Sequence, residues 1–203
     1  MTSPEFSYPA PGEIIRRLEI ERKGFAKYLP QDIKLQLQTA PFVIIDQGYL
    51  KDGTRLRREI LQDGREIYTE TNKSDGVDRE GLAKWETERV ITKGEFDDRW
   101  NSAQENGITR RIRKRRYFLD DGLEINVFEE SVNGKSLEGR IIVEKEFSLR
   151  GSLHETLLEA KSSFFPKWVL ETNLASSKKI ANGQIPKRWR RVIPKGETIK
   201  RIV

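Results

Sequence analysis

The sequence predicts an α+β protein dominated by antiparallel strands, its sheet closed into a β-barrel around a charged interior and flanked by helices. Three observations point there. Strand-like segments recur in which charges alternate with β-branched or aromatic residues: Glu19 and Glu21, Arg55 and Arg57, Glu86 and Glu88, Lys114 and Arg116, Glu144 and Glu146. Alternate side chains of a strand share a face, so each of these pairs turns one sign of charge to one side. An ordinary half-buried strand alternates apolar with mixed polar residues; a closed sheet with a charged lining accounts better for sorting by sign. Next, Asp52-Gly53, Asp63-Gly64, Asp121-Gly122 and Asn133-Gly134 fall between such segments and read as hairpin turns. Finally, the 203 residues are 35% hydrophobic and 34% charged, a polarity that a charged lining supplies without disorder.

In chain order, residues 1–17 read as an extended leader with neither the basic start nor the apolar stretch of a secretory signal. Residues 18–203 suit one domain. Glu19, Glu21 and Lys23 then line one strand face while Leu18 and Ile20 turn to the other. A carboxylate pair beside an ammonium can hold a hard divalent cation and the phosphate that it bridges. Arg55 and Arg57 flank Leu56, and Glu86 and Glu88 repeat the acidic alternation. Glu95 to Asn106 carries Phe96, Trp100 and Ala103 at helical spacing and stops before Gly107. Strand patterns resume at Ile112 to Tyr117, at Glu124 to Val127 with Asn126 beside Glu124, and at Ile141 to Glu146. Ser152-Leu153-His154-Glu155 reads as a capping box opening a helix with Leu153, Leu157 and Leu158 buried and His154 exposed. Asn173 is placed to cap a last helix through Leu174, Ile180 and Ala181, stopped by Gly183.

Taken in order, these motifs resemble the CYTH superfamily, the triphosphate tunnel metalloenzymes, which include tripolyphosphatases, thiamine triphosphatases and class IV adenylyl cyclases. The residues that carry the resemblance are Glu19-x-Glu21-x-Lys23, Gln47-Gly48-Tyr49-Leu50, Arg55/Arg57, Glu86/Glu88, Ile112-x-Lys114-x-Arg116-Tyr117, Glu124-Ile125-Asn126-Val127-Phe128 and Glu144-x-Glu146-Phe147. It runs from about Leu18 to Phe165-Pro166-Lys167-Trp168 and the helix after it. The resemblance implies an eight-stranded barrel enclosing a triphosphate tunnel, with Lys23, Arg55, Arg57, Lys73, Lys114 and Arg116 on the phosphate side. Two features depart from the family pattern. Asn126 stands where the family carries aspartate, which removes a charge from a second metal position. Val77 to Ala83 looks like a longer connection, leaving Arg79 as either a loop residue or a ligand contact. Lys178 and Lys179 either reach the tunnel, as a helix lysine does in some relatives, or lie on a solvated helix face.

Composition narrows the chemistry. A net charge of +6 and a pI near 9.5 favour anionic partners, whether nucleic acid or polyphosphate. The absence of cysteine excludes disulfides, thiolate zinc sites and cysteine nucleophiles, and His154 alone builds no multi-histidine metal site. No apolar run approaches the ~20 residues that span a membrane, so a cytoplasmic, membrane-free protein is expected, as monomer or homodimer.

Oxygen-only ligands favour Mg²⁺ or Mn²⁺. Glu19, Glu21, Glu144 and Glu146 are the first candidates, followed by Glu86 and Glu88, with Asn126 offering a carbonyl oxygen. Arginine grips phosphate through two donors and lysine as a point charge, which gives Lys23, Arg55, Arg57, Lys73, Lys114 and Arg116 substrate-binding roles. The expected activity is metal-dependent hydrolysis of a triphosphate, inorganic or organic, by positioning and electrostatics without a covalent nucleophile. Glu21 and Lys23 are the candidate catalytic residues, and the general base is left between Lys23 and a water activated by the cation. Two alternatives stand beside it. One is adenylyl cyclase-type nucleotide chemistry in the same tunnel. The other is a non-catalytic polyphosphate or nucleic-acid binder, for which Lys187-Arg188-Trp189-Arg190-Arg191 has a suitable mix of basic and aromatic residues.

Overall fold

The computed structural model describes residues 10–78, 82–106, 110–132, 139–149 and 151–171. Its elements are β1 (Ile14–Ala26), α1 (Gln31–Leu37), β2 (Phe42–Tyr49), β3 (Arg55–Leu61), β4 (Glu66–Gly76) and β5 (Ala83–Val90). Then follow α2 (Lys93–Asn106), β6 (Arg110–Phe118), β7 (Leu123–Val132), β8 (Ile141–Glu146), α3 (Leu153–Ser162) and β9 (Val169–Glu171). Neighbours pair antiparallel in the order β5-β4-β3-β2-β6-β7-β8-β1, and β1 returns to β5, closing an eight-stranded barrel to which β9 adds one strand. Closure depends on the length of β1. Its first part, Ile14 to Ile20, pairs with β5, while Glu21 to Phe25 pairs with β8 and Gly24 to Ala26 with β9. The barrel therefore begins within the expected leader: Ile14 to Arg17 are already strand.

The Asp-Gly turns form as the sequence suggests. Gly53, Gly64 and Gly122 take φ of 89°, 85° and 78°, a region glycine enters without steric cost. Asp52, Asp63 and Asp121 each accept from the backbone N–H two residues on, at 2.9, 3.0 and 3.1 Å. Asn133-Gly134 lies outside the described residues.

Three helices cover three apolar patches on the outside of the barrel. Under α1, Ile33 and Leu37 pack with Tyr117, Ile125, Val127, Ile141, Val143 and Trp168. Under α2, Phe96 and Trp100 pack on Leu56, Tyr68 and Ile91. Under α3, Ala160, Leu153 and Leu157 pack on Ile20, Ala83 and Phe147. The start of α2 precedes the sequence expectation by two residues, because Thr92 and Glu95 exchange capping-box bonds of 2.8 and 3.2 Å. The Ser152–Glu155 box opens α3 as expected and His154 is exposed. Leu158 corrects that reading: it is 52% exposed, and Thr156 and Ala160 are the buried positions. Neither α1 nor β9 is foreseen in the sequence. In α1 only Ile33 and Leu37 are buried and no side chain caps its start, so its periodic signal is weak.

A fourth apolar cluster lies on the opposite, inner face. Phe25, Ile112, Phe128 and Ile142, with Tyr49 and Leu170, form an apolar floor toward one end of the lumen. No helix among the described residues is long and apolar enough to cross a membrane.

Candidate functional site

Alternation sets the lining of the lumen. Side chains that meet across an intervening strand can do so only on the concave face, and several do. Arg116 of β6 donates to Glu144 of β8 at 2.7 Å, Arg55 of β3 donates to Glu86 of β5 at 2.9 Å, and Lys73 of β4 donates to Glu19 of β1. The described lining carries both signs of charge. Arg17, Lys23, Arg55, Arg57, Lys73, Lys84, Lys114 and Arg116 oppose Glu19, Glu21, Glu59, Glu86, Glu88, Glu124, Glu144 and Glu146. These charges are unevenly placed.

At one corner Glu19, Glu21 and Glu146 bring carboxylate oxygens within 4.8 Å of one another. Loss of solvation within the crowded corner and repulsion from Glu124, Glu19 and Glu21 push the Glu146 carboxyl up to about 7 despite Arg116, although part of the side chain stays open to solvent. Burial and Glu21 also raise Glu19, against the pull of Lys73. Burial works on Glu21 in the same direction, but Lys23 and Lys73 outweigh it and hold its carboxyl below the usual range. Crowding of this kind favours a cation among the three. The donors are all hard oxygens, which fits Mg²⁺ or Mn²⁺ and not a soft metal.

Across the lumen the excess is positive. Lys114 is buried, lies over the Phe128 ring at 5.7 Å, and has no carboxylate partner among the described residues. Burial, with Arg116, Arg57 and Lys23 nearby, holds its ammonium well below the usual lysine range despite Glu144. Arg57 bonds Glu59 at 3.0 Å, yet its buried Nε has no partner. These two groups are poised for an anion.

Between the corners runs a relay of ion pairs. Lys23 bridges Glu21 at 2.8 Å and Glu144 at 2.7 Å. Arg116 holds Glu144 at 2.7 Å, Glu124 at 2.9 Å and the Asn126 carbonyl oxygen at 3.0 Å. On the other side Glu86 meets Arg55 at 2.9 Å, Lys73 at 2.9 Å and Arg17 at 3.7 Å, while Glu88 accepts from Thr71 at 3.2 Å.

Of the acids expected to bind metal, the structure thus gathers Glu19, Glu21 and Glu146. Glu86, Glu88, Glu144 and Asn126 line the same lumen, engaged by cations or hydroxyl, as Glu19 and Glu21 also are by Lys73 and Lys23. Of the expected phosphate-binding bases, Lys114 is the least neutralised. Lys23, Arg55, Arg57, Lys73 and Arg116 already pair with carboxylates. Arg17, Glu59, Lys84, Thr71 and Glu124 also join the lining. Their signal was the same alternation, extended one step along β1, β3, β5, β4 and β7. Arg79, the expected last helix with Lys178 and Lys179, and the basic segment Lys187 to Arg191 lie outside the described residues.

No protein-family model matches the chain, and no curated protein does. Among solved structures the chain is similar to the PH1819 protein of Pyrococcus horikoshii OT3, at 18% identity and TM-score 0.41, covering 89% of this chain and 93% of that one. It is also similar to a conserved hypothetical protein of Pyrococcus furiosus, at 16% identity and TM-score 0.41, covering 70% and 86%. Likeness at this level does not bear on function.

Proposed function

We propose that this protein is a divalent-metal-dependent phosphohydrolase that cleaves a triphosphate, inorganic or organic, inside the charged barrel, with the site organised as in the triphosphate tunnel metalloenzymes its motifs resemble. The observation that carries this reading is the separation of a three-carboxylate corner from the under-neutralised Lys114, with Arg57 nearby, within one lumen. Glu19, Glu21 and Glu146 would hold the cation. Bound there, Mg²⁺ or Mn²⁺ would supply charge neutralisation at phosphoryl oxygens and acidify a water. Arg57 and Lys114 would bind the triphosphate, helped by Lys23 and Arg116 from the ion-pair relay. Water adds to the terminal phosphorus as the bridging P–O bond breaks, and the shortened phosphate chain leaves.

The ion pairs give this division a purpose. Without ligand, pairs such as Lys23–Glu144, Arg116–Glu144 and Arg55–Glu86 offset charge along the lining. A triphosphate reaching the Glu19/Glu21/Glu146 corner would be opposed by its carboxylates unless a divalent ion stood between them. Direct evidence would come from incubating the pure protein with tripolyphosphate, ATP and thiamine triphosphate in Mg²⁺ or Mn²⁺ and identifying the products. Orthophosphate release supports hydrolysis. Cyclic AMP from ATP would assign cyclase chemistry instead, and no product from any of the three would defeat an enzymatic role.

A further inference from the structure

Asn126 is fully buried in the lumen lining, at 0% exposure, and only one side of its amide is engaged. Its Oδ1 accepts from Arg116 Nε at 3.0 Å. A guanidinium has donors only, so this contact fixes which end of the amide is oxygen. Arg116 is itself held by Glu124 at 2.9 Å and Glu144 at 2.7 Å, so the amide is anchored. The other end, Nδ2, has no partner. An unsatisfied buried donor is unfavourable, and one set in the lumen lining can be satisfied by an acceptor on a ligand.

Register shows what could use it. Asn126 faces Arg116 across the β6–β7 pair, and Phe128, two residues along the same face, faces Lys114. Asn126 and Lys114 are therefore diagonal neighbours, each with unused donor capacity. A cation gains nothing from an N–H donor, and at Oδ1 it would meet the positive guanidinium. A phosphoryl oxygen suits both groups.

We propose that Asn126 is a neutral hydrogen-bond donor to a phosphoryl oxygen of the bound anion, and that it is not a ligand of the cation, contrary to the carbonyl-ligand role read from the sequence. This rests on the triphosphate reading and adds to it. The lumen then takes its cation at the Glu19/Glu21/Glu146 corner, and Asn126 helps to orient the anion beside Lys114. The side chain acts through shape and donor placement, so its replacement by aspartate is the sharpest change available. Aspartate keeps the size, pairs with Arg116, removes the donor and adds a negative charge.

The test uses the full-length chain and bis(methylene)triphosphonate, a carbon-bridged triphosphate analogue that water does not cleave. Calorimetry gives its affinity in Mn²⁺ and, separately, the affinity for Mn²⁺ without anion. Asn126→Asp and Asn126→Ala are expected to weaken the analogue by about tenfold or more, the loss of one hydrogen bond to a charged acceptor. Affinity for Mn²⁺ alone should stay within about twofold in Asn126→Ala. If Asn126→Ala does not fold, as judged by its circular dichroism melt, Asn126→Asp carries the anion arm and Asn126→Ser both arms. Unchanged analogue affinity in the variants overturns the donor role, and weakened Mn²⁺ binding in Asn126→Ala or Asn126→Ser makes the residue a cation ligand after all. Wild type that binds no analogue overturns both this proposal and the triphosphate reading. Wild type that binds the analogue but cleaves no triphosphate defeats the enzymatic reading alone.

Discussion

On the outer face of β3, Leu56 is buried with Tyr68 and Ile91 under Phe96 and Trp100 of α2, whereas on its inner face Arg55 meets Glu86 and Arg57 meets Glu59. The same strand thus contributes to the fold in two ways. Outside, stability grows with the apolar area removed from water. Inside, desolvation consumes most of what each ion pair gains, so buried pairs are weak evidence for stability. The outer face therefore holds the barrel together, and the inner face is free to be shaped for a ligand. Mutations on the two faces should separate stability from activity.

The largest effect on stability is expected outside. Leu56→Ala leaves a cavity beneath α2 and should destabilise the fold by roughly 2–5 kcal/mol, read from urea unfolding. Activity per folded molecule should hardly change. Loss of activity without loss of stability would mean that the outer cluster takes part in the site.

Inside, the largest effects should fall on activity and divide by corner. Glu21→Gln removes charge from the acidic corner, and the lost rate should recover in part with excess Mn²⁺. Arg57→Ala should raise KM with no recovery from metal. Each change is expected to cost about tenfold or more in kcat/KM, the scale of a charge-assisted contact. If both variants respond to Mn²⁺ alike, the two corners are not functionally distinct.

Lys114 tests the comparison from the other side. Its ammonium is buried without a carboxylate partner, so Lys114→Met should raise stability by about 1 kcal/mol while weakening triphosphate binding. A destabilised variant would show that Lys114 serves the fold and not the ligand.

Much of the inner face was legible in the sequence, and less of the outer. Alternation has a period of two, so placing one residue of Glu19-Ile20-Glu21-Arg22-Lys23 assigns all five to their faces. The Asp-Gly turns fix where strands reverse, which is why the meander was readable. Sequence alone did not say which acids converge. Glu144 and Glu146 are equivalent in pattern, yet Glu144 is taken by Lys23 and Arg116 while Glu146 joins Glu19 and Glu21. That choice depends on the stagger between β1, β6 and β8, a property of the closed sheet. On the outside, Leu158 misled because Leu153, Leu157 and Leu158 fit an apolar stripe equally well. The position of α3 on the barrel instead buries the smaller Thr156 and Ala160.

The smallest effect is a pH trend in the metal-free protein. Glu146 holds its proton to about pH 7 in the folded state, against an ordinary 4.5. A raised carboxyl contributes stability that is present below the ordinary value and lost as pH rises through the folded one. Glu146→Gln should therefore become more stable relative to wild type between about pH 5 and about pH 8. Comparing the two proteins cancels the opposite trend from Lys114. Glu146 lies at a solvent-accessible rim, so screening keeps the effect small, and Mg²⁺ should abolish it by favouring the carboxylate. A difference in melting temperature that stays flat with pH would remove Glu146 from the acidic corner.

The most direct measurement is phosphate release from tripolyphosphate before and after EDTA, with circular dichroism following the fold in the same samples. The carboxylates of the lumen oppose the anion unless a divalent ion stands between them, so EDTA should abolish turnover, leave the melting transition in place, and be reversed by added Mg²⁺ or Mn²⁺. Turnover that persists in EDTA, or metal-independent and salt-sensitive nucleic-acid binding with no product from any triphosphate, would contradict the account.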